Sequence, residues 1–214
     1  MGDALLAIAL AAGMTILLTA VSGAIGIVLG APVMLLSRSR FAPLRALYWG
    51  FVHIVRGVPT LVWLFIVFFG ITQLGITLGA VTSALITLSV IAVASMAEIY
   101  RGGLNAIKPG QWEASAALGL GRFATAKDVL YPQLFRAVSP TVATYLVGLI
   151  KESALASTIG VAEITFVAGL QVQYFGEGLT FFAFAGLMYL ALSVPLGALS
   201  RGVHARLTRR YAVL

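Results

Sequence analysis

Apolar positions run along this chain in long unbroken tracts, not in the alternating or one-faced patterns of soluble strands and helices. A helix needs about 20 apolar residues to cross a bilayer. Five such tracts are present, at 6–36, 47–69, 78–100, 140–159 and 179–199. The first is longer than a span requires, and tilt or an interfacial end takes up the excess. The pattern predicts an all-α transmembrane protein of five spans, a single domain over 1–214, interrupted by a polar loop at about 105–135. In the first tract Ser22, Gly26 and Gly30 stand four apart on one helix face. Small residues in that register let two helices approach closely, within one subunit or across a dimer seam.

Composition agrees. Of 214 residues, 60% are hydrophobic and only 10% charged, against about 25% charged in an average soluble domain. The net charge of +7 raises the question of nucleic acid, but the positions of the charges exclude it. Arg38, Arg40 and Arg45 follow the first tract; Arg101, Lys108, Arg122, Lys127 and Arg136 lie in or beside the polar loop; Arg201, Arg206, Arg209 and Arg210 form a tail. Basic residues in alternate connections are the positive-inside signature. It places the N-terminus outside, the C-terminus in the cytoplasm, and Asp3, Glu163 and Glu177 in outer connections. The start, "MGDALLAIALAAGM", lacks the basic opening of a secretory signal and stays apolar far too long, so it reads as a retained first span. The absence of cysteine excludes disulfides, thiolate metal sites and cysteine nucleophiles. His53 and His204 stand in separate contexts, which argues against a histidine metal site.

The polar loop centres on "QWEASAALGLGRFATAKDVLYPQLFR" at 111–136. Pro109 and Gly110 suit a turn, and Glu113 then complements the dipole of a short helix. Gly119 and Gly121 are natural stops for it. A second helical stretch, 122–130, should end at Pro132. The expectation is two short helices about an elbow, with a face of mostly alanine and serine. Such a knob is either a docking element or an ordinary connecting loop.

The spacing of this stretch closely resembles the EAA loop of importer permeases of the ATP-binding cassette (ABC) class. Glu113, Ala114 and Ser115 are followed after three residues by Gly119, and after nine more by Val129, Leu130, Tyr131 and Pro132. Ser115, Val129 and Tyr131 depart mildly from the alanine, isoleucine and leucine of that pattern. Three further segments, "VRGVPTLVWLFIVFFG", "AEIYRGGLNAIKPGQWEA" and "IKESALASTIGVAEIT", resemble the branch importing polar amino acids, histidine, glutamate, glutamine, arginine and opines among them. Together they cover 56–165 in order. The resemblance implies a five-span type I ABC importer permease in a bacterial inner membrane. It also implies that the loop is a coupling helix, carrying Glu113, Ala114, Ser115, Gly119 and Pro132 to a cytoplasmic ATPase. The implied partners are a second permease, identical or homologous, two ATPase subunits, an external substrate-binding protein and membrane lipid. The chain has no GxxxxGK[ST] phosphate loop, so ATP and Mg are expected on the partner ATPases, with no cofactor held here. The alternative is a secondary amino-acid transporter driven by an ion gradient, which leaves the loop unexplained.

Arg56, Glu98, Lys151 and Glu152 lie within or beside apolar tracts, where an isolated charge costs several kcal/mol, so each should pair, face the interior or line a watery path. Pro59 should free the carbonyl of Val55 and, with Gly57, bend or open the second span near Arg56 and Thr60. The break serves either substrate or packing. Glu98 either pairs with Arg101 or faces the path, and Glu152 either pairs with Arg56 or Lys151 or meets substrate. Ser153, Ser157 and Thr158 supply hydroxyls or bond back to their own helix. The candidate substrate-binding set is Arg56, Thr60, Glu98, Glu152, Ser153 and Thr158. Lys151, Glu152 and Ser153 are sequence neighbours, which do not face one another on a helix, so no nucleophile and base pair forms there. A transporter subunit, not an enzyme, is expected. Two carboxylates would favour a cationic amino acid, whereas neutralisation by Arg56 and Lys151 would leave room for glutamine, glutamate or an opine.

Overall fold

The structure, a computed structural model, describes residues 1–209, with side chains omitted at 199–201 and 203–209. The basic tail with Arg201, Arg206, Arg209, Arg210 and His204 therefore lies outside the described side chains. Among the described residues the chain is helical. Helix α1 covers Gly2–Leu36, α2 Ala42–Gly57, α3 Thr60–Gln73, α4 Ala80–Asn105, α5 Gly110–Ala117, α6 Arg122–Ile159, α7 Ile164–Phe175 and α8 Gly178–Arg209. Four of these, α1, α4, α6 and α8, are long and apolar enough to cross a membrane, and α2 with α3 adds a fifth crossing as a bent pair.

The bend at Gly57–Pro59 is far sharper than a kink: α2 and α3 meet at 99°. Pro59 cannot continue the hydrogen-bond ladder of α2, and Val58 takes extended backbone, φ −100° and ψ 134°. Two further boundaries differ from expectation. The helix at Arg122 does not end at Pro132; it runs on as α6 to Ile159, so the fourth span starts well before Pro140. A π turn at Thr125–Leu130 precedes the proline, and its wider register relieves the clash of the ring with the preceding turn. The outer connection after Ile159 holds a 12-residue apolar helix, α7, about 18 Å long and too short to span.

The principal seam joins α1 to α4, where glycines are required by contact. A Cβ on Gly26 would stand 2.7 Å from the Ala92 Cβ, and one on Gly30 would stand 2.6 Å from the Met96 Cβ. The small-residue face of α1 is thus a seam within the subunit. The largest core cluster lies beyond it, where Leu18, Leu64, Leu88, Leu149, Ile159 and Val161 meet from α1, α3, α4, α6 and its exit. Near the other end of α1, Ile8, Ile164, Ala168 and Phe181 pack α7 and α8 onto it.

Candidate functional site

Two regions carry the polar chemistry, the knob at α5 and a cavity among α2, α4 and α6. In the knob, Pro109 precedes α5 and Glu113 lies in its first turn, where a carboxylate meets the positive end of the helix dipole. The helix stops at Gly119, whose φ is +70°. Gly119 N–H donates to Ala116 O at 3.0 Å and Leu120 N–H to Ser115 O at 3.0 Å, the paired bonds of a Schellman termination. Ser115 is only 2% exposed, and its hydroxyl donates to Gln111 O at 2.7 Å. The expected surface of alanine and serine is therefore corrected. Ser115 turns inward, while Trp112, Leu118 and Phe123 stand out at 50%, 78% and 79% exposure, because the two short elements have no core to bury them. Glu113 and Ala114 are exposed beside them. Gln133 on α6 donates from Nε2 to Gln111 Oε1 at 2.9 Å, so the knob is tied to the helix that carries Pro132.

The cavity begins at the bend. The Val55 carbonyl freed by Pro59 is not left open: the Trp63 indole N–H donates to it at 3.1 Å. Arg56 stands one residue on, exposed and without an ion-pair partner among the described residues. With Ser95, Glu98, Ile99, Thr141, Thr144 and Tyr145 it lines a cavity of about 440 Å³. Thr60, the first residue of α3, lies half-buried beyond the break.

Both oxygens of Glu98 are engaged. Arg101 donates from Nε to Oε2 at 2.9 Å and from Nη2 to Oε1 at 2.5 Å, and the Tyr48 hydroxyl donates to Oε2 at 2.8 Å. The Arg101 guanidinium also lies 4.9 Å from the Trp49 ring centroid. Of the two alternatives for Glu152, the pair with Arg56 or Lys151 does not form. Lys151 is exposed, and Glu152 is half-buried with Oε2 lacking a hydrogen-bond partner. Ser153, Ser157 and Thr158 all donate back to carbonyls three residues earlier at 2.7 Å, so their protons are spent within their own segment.

Sequence reasoning missed Glu163 as a structural centre. It is fully buried and caps α7 by accepting from Phe166 N–H at 2.8 Å. The Tyr189 hydroxyl of α8 donates to its other oxygen, and Thr165 meets Tyr189 at 3.0 Å. Burial pushes the carboxyl up from the usual carboxylate range, against the pull of these donors. The sequence signal was there in part: an acid placed three residues before a helical amide is an N-cap pattern.

Known proteins place the whole arrangement. Residues 22–211 match the family described as binding-protein-dependent transport system inner membrane component. A probable amino-acid ABC transporter permease of Bacillus subtilis is 37% identical, over 84% of this chain and 80% of its own. An arginine transport system permease of the same organism is 34% identical, over 90% and 89%. Among solved structures, an amino acid ABC transporter described with histidines superposes with a TM-score of 0.88 at 26% identity, covering 93% of this chain and 94% of that one. The inward-facing MetNI methionine transporter gives 0.76 at 25% identity, covering 91% and 93%. The folded helices, the knob with its glycine stop and these likenesses agree: the chain belongs to the family of binding-protein-dependent transport system inner membrane components and has the type I ABC importer permease fold.

Proposed function

We propose that this chain is the amino-acid-translocating permease of an ABC importer, coupled to separate ATPase subunits through the knob at 111–132. The observation that carries the reading is the knob itself: a helix stopped by a Schellman turn at Gly119, presenting Trp112, Leu118 and Phe123 outward beside Glu113. Apolar side chains held out on a rigid stop are what a groove in a partner would bury. The names of the relatives, arginine and amino-acid permeases, support an amino-acid cargo.

In this reading two permeases, identical or homologous, enclose the path, and two ATPase subunits sit beneath the knobs. An extracytoplasmic binding protein delivers the cargo to the outer face. ATP binding closes the ATPase pair, the knobs approach each other, and the spans open outward; hydrolysis restores the inward state. ATP and Mg remain on the ATPase subunits. The membrane is the bacterial inner membrane, with the N-terminus outside and the C-terminus cytoplasmic. The cavity with Arg56 and Glu98 in its wall forms the inner substrate path, with Thr60 beyond the break and Glu152, Ser153 and Thr158 further along α6.

Reconstitution tests this. Proteoliposomes holding the permease, its ATPase and the cognate binding protein should accumulate labelled amino acid only with ATP. Uptake by the permease alone under a proton or sodium gradient would overturn the reading.

A further inference from the structure

The charges around the cavity do not cancel. Glu98 contributes the carboxylate of its wall, yet both oxygens of Glu98 are held by Arg101 and one also by Tyr48. A carboxylate that already accepts three hydrogen bonds, of the about four it can take, and whose charge is matched by a guanidinium offers little to an incoming ammonium. Arg56 faces the same cavity with no ion pair among the described residues. Glu152 lies seven residues beyond Tyr145 on α6, outside the cavity wall. The wall therefore presents one guanidinium held by no ion pair among the described residues, with the carboxylates of Glu98 and Glu152 acting on the cavity only at longer range. Around it are the hydroxyls of Ser95, Thr141, Thr144 and Tyr145. The Thr144 proton is donated to Pro140 O at 3.0 Å, which leaves that oxygen an acceptor.

A guanidinium presents a planar fork that matches a carboxylate with two parallel hydrogen bonds. The backbone reinforces its position. Arg56 sits in the last turn of α2, where the helix dipole favours a cation, and the adjoining Val55 carbonyl is already taken by Trp63. The break at Pro59 thus presents a cation to the cavity, while the Val55 carbonyl it frees accepts from Trp63 and is not open to a substrate N–H.

We infer that Arg56 anchors the carboxylate of the transported molecule, so that the cavity recognises an amino acid by the group all amino acids share and rejects the amine that lacks it. This rests on the amino-acid permease reading above. It leaves side-chain preference to other residues and to the binding protein.

Matched pairs of ligands isolate the carboxylate. The assembled permease and ATPase complex in detergent is titrated, with thermal stabilisation as readout, using L-arginine against agmatine and L-histidine against histamine. The expected result is stabilisation by at least one amino acid and binding of its decarboxylated partner weaker by about tenfold or more. Arg56→Gln should abolish that preference, Arg56→Lys should keep part of it, and both should co-purify with the ATPase. An Arg56→Gln complex that still prefers the amino acid would overturn the inference and leave the permease reading standing. An Arg56→Gln chain that inserts but no longer assembles would also overturn it, by showing that Arg56 pairs with the second permease. Binding of no amino acid by the unaltered complex would instead count against the amino-acid reading itself.

Discussion

Single residues decide the two sharpest features of this chain. Trp63 closes the break that Pro59 opens, and Trp63→Phe would keep the ring but leave the Val55 carbonyl without its donor. An unsatisfied buried acceptor costs about 1–3 kcal/mol. The expected outcome is a lower melting temperature in detergent with insertion unchanged; an unaltered melt would show that water replaces the indole. Gly119 sits at φ +70° with open space around it, so a side chain there is penalised by conformation and not by collision. Gly119→Arg should leave the permease in the membrane but release the ATPase during purification. Retention of a stoichiometric ATPase would contradict the docking role. Both features were legible in advance from glycine and proline chemistry. Trp63 was not, because the capping indole is eight residues along the chain and reaches back only once the two helices meet at 99°.

At the scale of elements, the seam of α1 on α4 and the clasp of α7 on α8 behave differently. Gly26→Val would drive new atoms into Ala92, including its backbone carbon at 2.9 Å, and a helix cannot retreat from backbone as it can from a flexible side chain. Loss of folded protein on size-exclusion chromatography is expected, whereas Gly13→Val, with nothing within 4 Å, should be tolerated. The clasp adds hydrogen bonds at Glu163 to apolar packing. The Glu163 carboxyl is raised by burial, so the folded state holds its proton more tightly than the unfolded one. Its contribution is fully present below the unfolded value of about 4.3 and is lost as pH rises through the folded value. Melting curves between pH 4 and 8 should show the unaltered protein losing stability relative to Glu163→Gln as pH increases. A constant difference would mean that Tyr189 and the Phe166 amide hold the carboxyl ionised throughout. Five spans were visible from apolar length, and the second span's break from Gly57 and Pro59. Helix α7 was hidden because 12 apolar residues beside a polar connection carry no spanning signal. The extension of α6 through Pro132 was hidden because the π turn that accommodates the ring leaves no mark in composition.

For the whole molecule, the division of labour follows from where charge is balanced. Around the knob, apolar side chains stand outward and the one polar member of the motif that turns inward, Ser115, is satisfied by its own helix. Around the cavity, Glu98 is balanced and Arg56 is not. The short helix and its glycine stop were legible in the sequence, because a local element has its geometry fixed by consecutive residues. The cavity was legible only as a set of suspect charges: the pair of Glu98 with Arg101, one turn along the same helix, stood as one alternative, but the Tyr48 hydroxyl reaches Glu98 from α2 only in the fold.

The central claim is that the knob seats in an ATPase subunit. The chain has no cysteine, so a Leu118→Cys substitution supplies a single thiol at a position 78% exposed. A short thiol-directed photo-cross-linker placed there, with the permease and its ATPase co-expressed in native membranes, reads the contact directly. A covalent permease–ATPase product is expected, and it should disappear when Gly119→Arg is added. A thiol that labels fully yet gives no such product would contradict it.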